Sequence, residues 1–136
     1  MKSKCKLLDI LLIEDDQNDI SLIKIAFENA GIDVNLKIIT NGEEAINYIN
    51  KLDKEEKLPD LILLDINLPK VNGLEVLQIV KSDEITSQIP TVIFTSSDSE
   101  FDMNSAYNSG ANLYLKKPNN INDFRSLIVD FIRLKT

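Results

Sequence analysis

Leu7-Leu8-Asp9-Ile10-Leu11-Leu12-Ile13-Glu14-Asp15-Asp16, residues 7–16, is apolar at nearly all of its first seven positions and then breaks into three consecutive acids. A near-continuous apolar run of this length suits a strand buried on both faces. Four more short runs follow: Val34–Ile39, Leu61–Leu64, Thr91–Phe94 and Asn112–Leu115. Between them lie amphipathic stretches. The first carries Ile20, Ile23 and Phe27 on one face and stops at Gly31. The last carries Ile121, Phe124, Leu127, Ile128, Phe131 and Ile132, at the three-and-four spacing of a helix. Asn41-Gly42-Glu43-Glu44 opens a helix containing Ala45, Ile46 and Ile49, and Asn72-Gly73 opens one containing Leu74, Leu77 and Val80. Asp98 is placed to cap a helix over Glu100 to Asn108 that contains Met103, Ala106 and Tyr107. Strand and helix patterns alternating five times imply βαβ units, hence an α/β fold: a parallel five-stranded sheet with five helices on its two faces. The second run sets Asn35 and Lys37 between Val34, Leu36 and Ile38, as a half-wet edge strand would, and the order 2-1-3-4-5 puts it at an edge.

Composition narrows the chemistry. The chain has 136 residues, a formal charge of −7, one cysteine and no histidine. Cys5 has no partner for an intramolecular disulfide, and zinc sites built on thiols or imidazoles are excluded along with Ser-His-Asp and Cys-His catalysis. The acidic excess argues against a nucleic-acid partner, which selects a basic face. Lys2 and Lys4 precede an apolar stretch, but Asp9 interrupts it, it runs into Glu14-Asp15-Asp16, and no small-residue cleavage site follows. No other apolar run approaches the ~18 residues of a membrane span. A cytoplasmic chain with no membrane partner is expected. Lys51-Leu52-Asp53-Lys54-Glu55-Glu56-Lys57 reads as a solvated helix end and loop.

In open α/β sheets the ligand site lies beyond the carboxyl ends of the strands, where strand order reverses. Glu14-Asp15-Asp16 follows the first run, Asp65 the third, Thr95-Ser96-Ser97 the fourth and Lys116-Lys117-Pro118 the fifth. Carboxylates crowded on one rim repel unless protons or a metal compensate. Oxygen-only ligands select a hard cation, and one or two carboxylates with waters and a phosphate suit Mg²⁺. A lysine and a threonine opposite would hold the remaining oxygens of a phosphoryl group. The constellation fits phosphoryl transfer onto an aspartate. No Gly-rich phosphate loop and no G-x-G-x-x-G follows the first strand, so nucleotide hydrolysis and dinucleotide cofactors lack support, and Glu14-Asp15-Asp16-Gln17-Asn18 is unlike a flavin phosphate loop.

Four ordered motifs then carry a resemblance: Ile13-Glu14-Asp15-Asp16, Asp65-Ile66-Asn67-Leu68-Pro69 followed by Asn72-Gly73, Thr95-Ser96-Ser97, and Tyr114-Leu115-Lys116-Lys117-Pro118. The chain resembles the receiver domain of two-component response regulators, the flavodoxin-like (CheY-like) fold, from Leu7 to about Leu134. The resemblance implies that Asp65 is the phosphoacceptor, a nucleophile toward a phosphohistidine on a sensor histidine kinase or phosphotransfer protein. It implies that Glu14 and Asp15 hold Mg²⁺, Asp15 directly and Glu14 through water, with Asp65 and the Asn67 carbonyl completing the protein's share. Thr95 matches the switch hydroxyl, Lys117 the lysine that pairs with the phosphoryl group, and Tyr114 an aromatic whose ring turns inward on activation. Asn67 and Ser97 match positions that tune hydrolysis, and Lys117-Pro118 matches a cis peptide. Asp16 reads either as a spare ligand or as a helix cap or solvated side chain, Lys116 as a surface charge, and Tyr114 otherwise as an edge-strand aromatic. The Glu-Asp-Asp start, Asn67-Leu68-Pro69-Lys70 and the Tyr114 to Pro118 motif are similar to single-domain regulators of phytochrome-type histidine kinases, with chemotaxis-type regulators next.

A single receiver domain over 1–136, core about 6–134, with no output domain is expected; by resemblance, phosphorylation changes the partner preference of the face formed by the fourth helix, fifth strand and fifth helix, a homodimer through that face being one of the partners it allows. Lacking histidine, the chain must receive its phosphoryl group from another. Two rival functions remain. An aspartate-nucleophile phosphatase of the haloacid dehalogenase type needs a second Asp two residues after the nucleophile, where this chain has Asn67. A pseudo-receiver would bind partners without phosphorylation.

Overall fold

The computed structural model describes residues 7–52 and 58–117, with residues 123, 126 and 129. Its elements alternate as the apolar pattern requires: β1 (Leu8–Ile13), α1 (Gln17–Asn29), β2 (Val34–Ile39), α2 (Gly42–Lys51), β3 (Leu61–Leu64), α3 (Gly73–Ser82), a 3₁₀ turn (Thr86–Gln88), β4 (Thr91–Thr95), α4 (Glu100–Asn108) and β5 (Leu113–Lys116). The strands form one sheet in the order β2-β1-β3-β4-β5, and every pairing is parallel. Of the expected fifth helix, Asp123, Ser126 and Val129 are helical and exposed. Its apolar positions, together with Pro118 and the charge run from 53 to 57, lie outside the described residues.

The period-two geometry of a strand splits the apolar residues between two cores. Leu11, Ile13, Ile62, Leu64 and Ile93 face α2, α3 and α4 through Ala45, Ile49, Val76, Leu77, Val80 and Ala106. Ile10, Leu12, Leu61, Leu63, Val92 and Phe94 face α1 through Ile20, Ile23, Ala26 and Phe27. Edge strand β2 alternates as expected, with Asn35 and Lys37 exposed, and the Lys37 ammonium lies 5.3 Å from the centre of the Tyr48 ring.

Short polar side chains start the helices by accepting from otherwise unpaired backbone N–H groups. The Asp16 carboxylate accepts from the backbone N–H groups of Asn18 and Asp19 at 2.8 and 3.2 Å, so of its two readings the cap is the one realised. Asn41 accepts from Glu44 N–H and Asn72 from Leu74 N–H. For α4 the cap moves one residue on: Ser99, not Asp98, accepts from Asp102 N–H. Asp98 instead faces Lys116 at 3.4 Å on the open surface. Among the described residues no helix is long and apolar enough to cross a membrane.

Two glycines let backbones close around the segment between β3 and α3. A Cβ on Gly73 would strike the Asp65 carbonyl oxygen, and one on Gly42 would strike that of Val71. Gly73 N–H donates to Ile66 O at 2.8 Å and Gly42 N–H to Pro69 O at 3.2 Å. The start of α3 is thereby pressed against the backbone of the residue that follows β3. Gly73→Ala is expected to lower unfolding free energy by about 3 kcal/mol, the scale of overpacking a site that cannot give way. Ser21→Ala, on exposed α1 surface, is expected to stay within about 0.5 kcal/mol. Urea unfolding of the two variants checks the difference.

Candidate functional site

Backbone hydrogen bonds that carry the sheet past its strand ends bring the polar residues together. Glu14 N–H donates to Ile39 O at 2.9 Å, Asp65 N–H to Ile13 O at 3.0 Å and Lys117 N–H to Thr95 O at 2.7 Å. The residues that follow β1, β3 and β5, with Thr95 at the end of β4, therefore lie on the same rim. Glu14, Asp65 and Thr95 are buried there, Asp15 is exposed, and the Lys117 side chain is 9% exposed.

The Lys117 ammonium lies at the centre. It donates to Glu14 Oε1 at 2.7 Å, Asp19 Oδ2 at 2.7 Å and Asp65 Oδ2 at 2.9 Å, which uses all three of its protons. The other oxygens are also engaged: Glu14 Oε2 accepts from Asp16 N–H at 3.1 Å, and Asp65 Oδ1 from Asn67 N–H at 3.1 Å. One carboxylate oxygen from each of Glu14, Asp15 and Asp65 lies within 4.8 Å of the other two. Oxygen donors gathered this closely, carrying more negative charge than one lysine offsets, fit a hard divalent cation.

Burial dominates the titration of Glu14. Loss of water, reinforced by the Asp65 charge, raises its pKa from 4.5 to about 7 despite the Lys117 ammonium and the Asp16 N–H. Burial works against the charge on Lys117 too, but its hydrogen bonds to Asp19 and Glu14 and the Asp65 charge outweigh it, so its pKa lies above the ordinary lysine value.

Beside this cluster, Thr95 Oγ1 accepts a long bond, 3.4 Å, from Ser97 N–H. Ser97 Oγ donates to Asp102 Oδ2 at 2.7 Å, tying the loop after β4 to the first turn of α4. Tyr114 is buried, and its hydroxyl donates to Ser97 O at 3.0 Å while its backbone N–H donates to the Tyr107 hydroxyl at 3.0 Å. The ring is thus already turned inward. Asn67 is exposed at the rim, and Lys116 points away from Lys117 toward Asp98. The Lys117-Pro118 peptide bond lies outside the described residues.

The sequence reading did not single out Asp19. The signal was there: Asp19 stands one helical turn before Ile23, a fully buried residue on the sheet-facing side of α1. That spacing aims it at the rim.

Residues 10–129 match the family model for the response regulator receiver domain. The chain belongs to that family. Within it, the chain is 36% identical to the response regulator Rcp1 of Synechocystis sp. over 121 residues, covering 88% of this chain and 82% of Rcp1. Its fold is similar to that of the phosphorylated cyanobacterial phytochrome response regulator RcpA, with a TM-score of 0.85, 32% identity and coverage of 96% of this chain and 98% of that one. It is similar too to the bacteriophytochrome response regulator RtBRR, with a TM-score of 0.76, 40% identity and coverage of 93% and 78%. In this chain Glu14, Asp65, Thr95 and Lys117 stand together on one rim of the sheet.

The raised Glu14 pKa ties stability of the metal-free receiver to pH. A group that holds its proton more tightly when folded contributes stability that is complete below its unfolded pKa and lost as pH rises through the folded one. The window runs from about 4.5 to about 7. The wild type is therefore expected to lose more melting temperature than Glu14→Gln as pH rises across that window, and thermal melts of the two metal-free proteins check it.

Proposed function

We propose that this receiver takes a phosphoryl group from a phosphohistidine on a separate histidine kinase or phosphotransfer protein onto Asp65, with Mg²⁺, and changes its partner preference as a result. The observation that carries this reading is the buried Asp65 carboxylate, 2.9 Å from the Lys117 ammonium and grouped with Glu14 and Asp15. An Asp65 oxygen attacks phosphorus, the P–N bond of the donor breaks with its electron pair going to nitrogen, the imidazole, already protonated at its other ring nitrogen, leaves as the neutral base, and an acyl phosphate remains. Glu14, Asp15, Asp65 and the Asn67 carbonyl would hold Mg²⁺, which supplies positive charge to the phosphoryl oxygens. Lys117 holds a further phosphoryl oxygen, and the Asn67 N–H helps fix the Asp65 carboxylate. The solved Mn²⁺-bound form of Rcp1 and the phosphorylated form of RcpA support the assignment.

Thr95 and Tyr114 form the switch in this reading. Phosphorylation adds nearly two negative charges, and the Thr95 hydroxyl turns to the new oxygen. Tyr114 already bonds the loop after β4, so phosphorylation favours an inward ring that the receiver holds beforehand rather than creating it. Ser97, bonded to Asp102, and Asn67, open at the rim, tune hydrolysis. The partner face includes α4, where Phe101 is 75% and Tyr107 43% exposed, and it serves a homodimer or a target protein. A phytochrome-type kinase, a cytoplasmic setting and action as a single receiver domain complete the proposal. The kinase class is supported by the likeness to a phytochrome response regulator, RcpA, and a bacteriophytochrome response regulator, RtBRR, and the single-domain reading by how much of Rcp1 and RcpA the chain spans.

Incubation with acetyl phosphate and Mg²⁺ is expected to add the mass of one phosphoryl group to the wild type and none to Asp65→Asn. Equal labelling of both proteins would overturn the assignment, as would steady turnover of a phosphomonoester.

A further inference from the structure

Of the three carboxylates on Lys117, Glu14 and Asp65 belong to the oxygen cluster suited to a divalent cation, whereas Asp19 does not. A cation drawn to that cluster competes with the ammonium for Glu14 and Asp65. Asp19, outside the cluster, would stay available to the ammonium, which it meets at 2.7 Å. Asp19 also comes from a different element: it sits on the first turn of α1, 98 residues from Lys117 in the chain. It is spared the work of starting that helix, since Asp16 supplies the cap. The N-terminal end of the helix dipole favours its negative charge.

We propose that Asp19 is a positioning residue for phosphoryl transfer: its carboxylate holds the Lys117 ammonium over Asp65 through the stage at which Glu14 and Asp65 turn to the cation. The inference rests on the reading of Asp65 as phosphoacceptor. Lysine has a flexible four-carbon stem and needs such an anchor, and displacement of a reacting group by 1 Å can cost about a hundredfold in rate. Asp19 does not compete with the incoming group. An ammonium has three protons, so a phosphoryl oxygen can replace Asp65 Oδ2 as acceptor while the bond to Asp19 persists.

The test compares wild type, Asp19→Asn, Asp19→Glu, Lys117→Ala and the double variant Asp19→Asn/Lys117→Ala. Phosphorylation by acetyl phosphate is followed at saturating Mg²⁺ by intact mass. In the metal-free proteins, acylation of Lys117 by an amine-reactive ester is followed by peptide mass. Asp19→Asn is expected to slow phosphorylation about tenfold, as loss of an orienting charge-assisted bond does, and to speed acylation of Lys117 at least about threefold as the amine is released. Asp19→Glu is expected to recover part of both, and Asp19→Asn to have no further effect on the rate of Lys117→Ala. Four results overturn the assignment: phosphorylation of Asp19→Asn within about twofold of wild type, unchanged acylation, an equal slowing on the Lys117→Ala background, or Asp19→Glu no better than Asp19→Asn. The underlying reading fails separately, by absence of phosphorylation at Asp65 in the wild type.

Discussion

Three carboxylates from different parts of the chain meet one ammonium, Lys117, at the carboxyl end of the sheet. Two of those acids are buried, and unpaired charges removed from water would carry a large desolvation cost. The parallel sheet makes the meeting unavoidable: strands of one direction end on one side, and the order β2-β1-β3-β4-β5 sets Glu14, Asp65, Thr95 and Lys117 side by side. Lys117 meets that cost only in part, which is why Glu14 holds its proton up to about pH 7. The same imbalance leaves the cluster ready for a divalent cation and then a phosphoryl group, each of which redistributes the charge.

The stability of the rim and its chemistry are therefore one problem. Gly73 and Gly42 allow α3 and α2 to press on the segment that follows Asp65, and the strand-end hydrogen bonds fix where each polar residue begins. On the α4 side, Tyr114 and Asp102 both bond Ser97, so a change at Thr95 has a short path to an exposed helix face. That path consists of discrete hydrogen bonds between a loop and two elements, the kind of arrangement that can hold two alternative states.

Most of this was legible because it is local. Buried parallel strands need uninterrupted apolar runs, and the second strand, with Asn35 and Lys37, was separable from the rest for that reason. Glu14, Asp65, Thr95 and Lys117 lie at strand ends, which the runs located to within a residue, whereas Asn67 and Tyr114 came only from the family resemblance. Asp98 and Ser99 are both good cap residues one position apart, so sequence alone does not separate them; Ser99 is the one that accepts from Asp102 N–H. The spacing of α1 marks Asp19 as rim-facing, but its partner Lys117 follows β5, 98 residues along the chain, so the ion pair itself depends on tertiary contact. The orientation of Tyr114 also depends on tertiary contacts, those with Ser97 and Tyr107.

A divalent cation at the cluster of Glu14, Asp15 and Asp65 would compete with Lys117 for the Glu14 and Asp65 carboxylates. Calorimetric titration of Mg²⁺ into wild type and Lys117→Ala tests that competition most directly. Removal of the competing ammonium predicts Mg²⁺ binding tighter by about tenfold in the variant, corresponding to roughly 1.4 kcal/mol of electrostatic competition. Equal or weaker binding by Lys117→Ala would contradict the account.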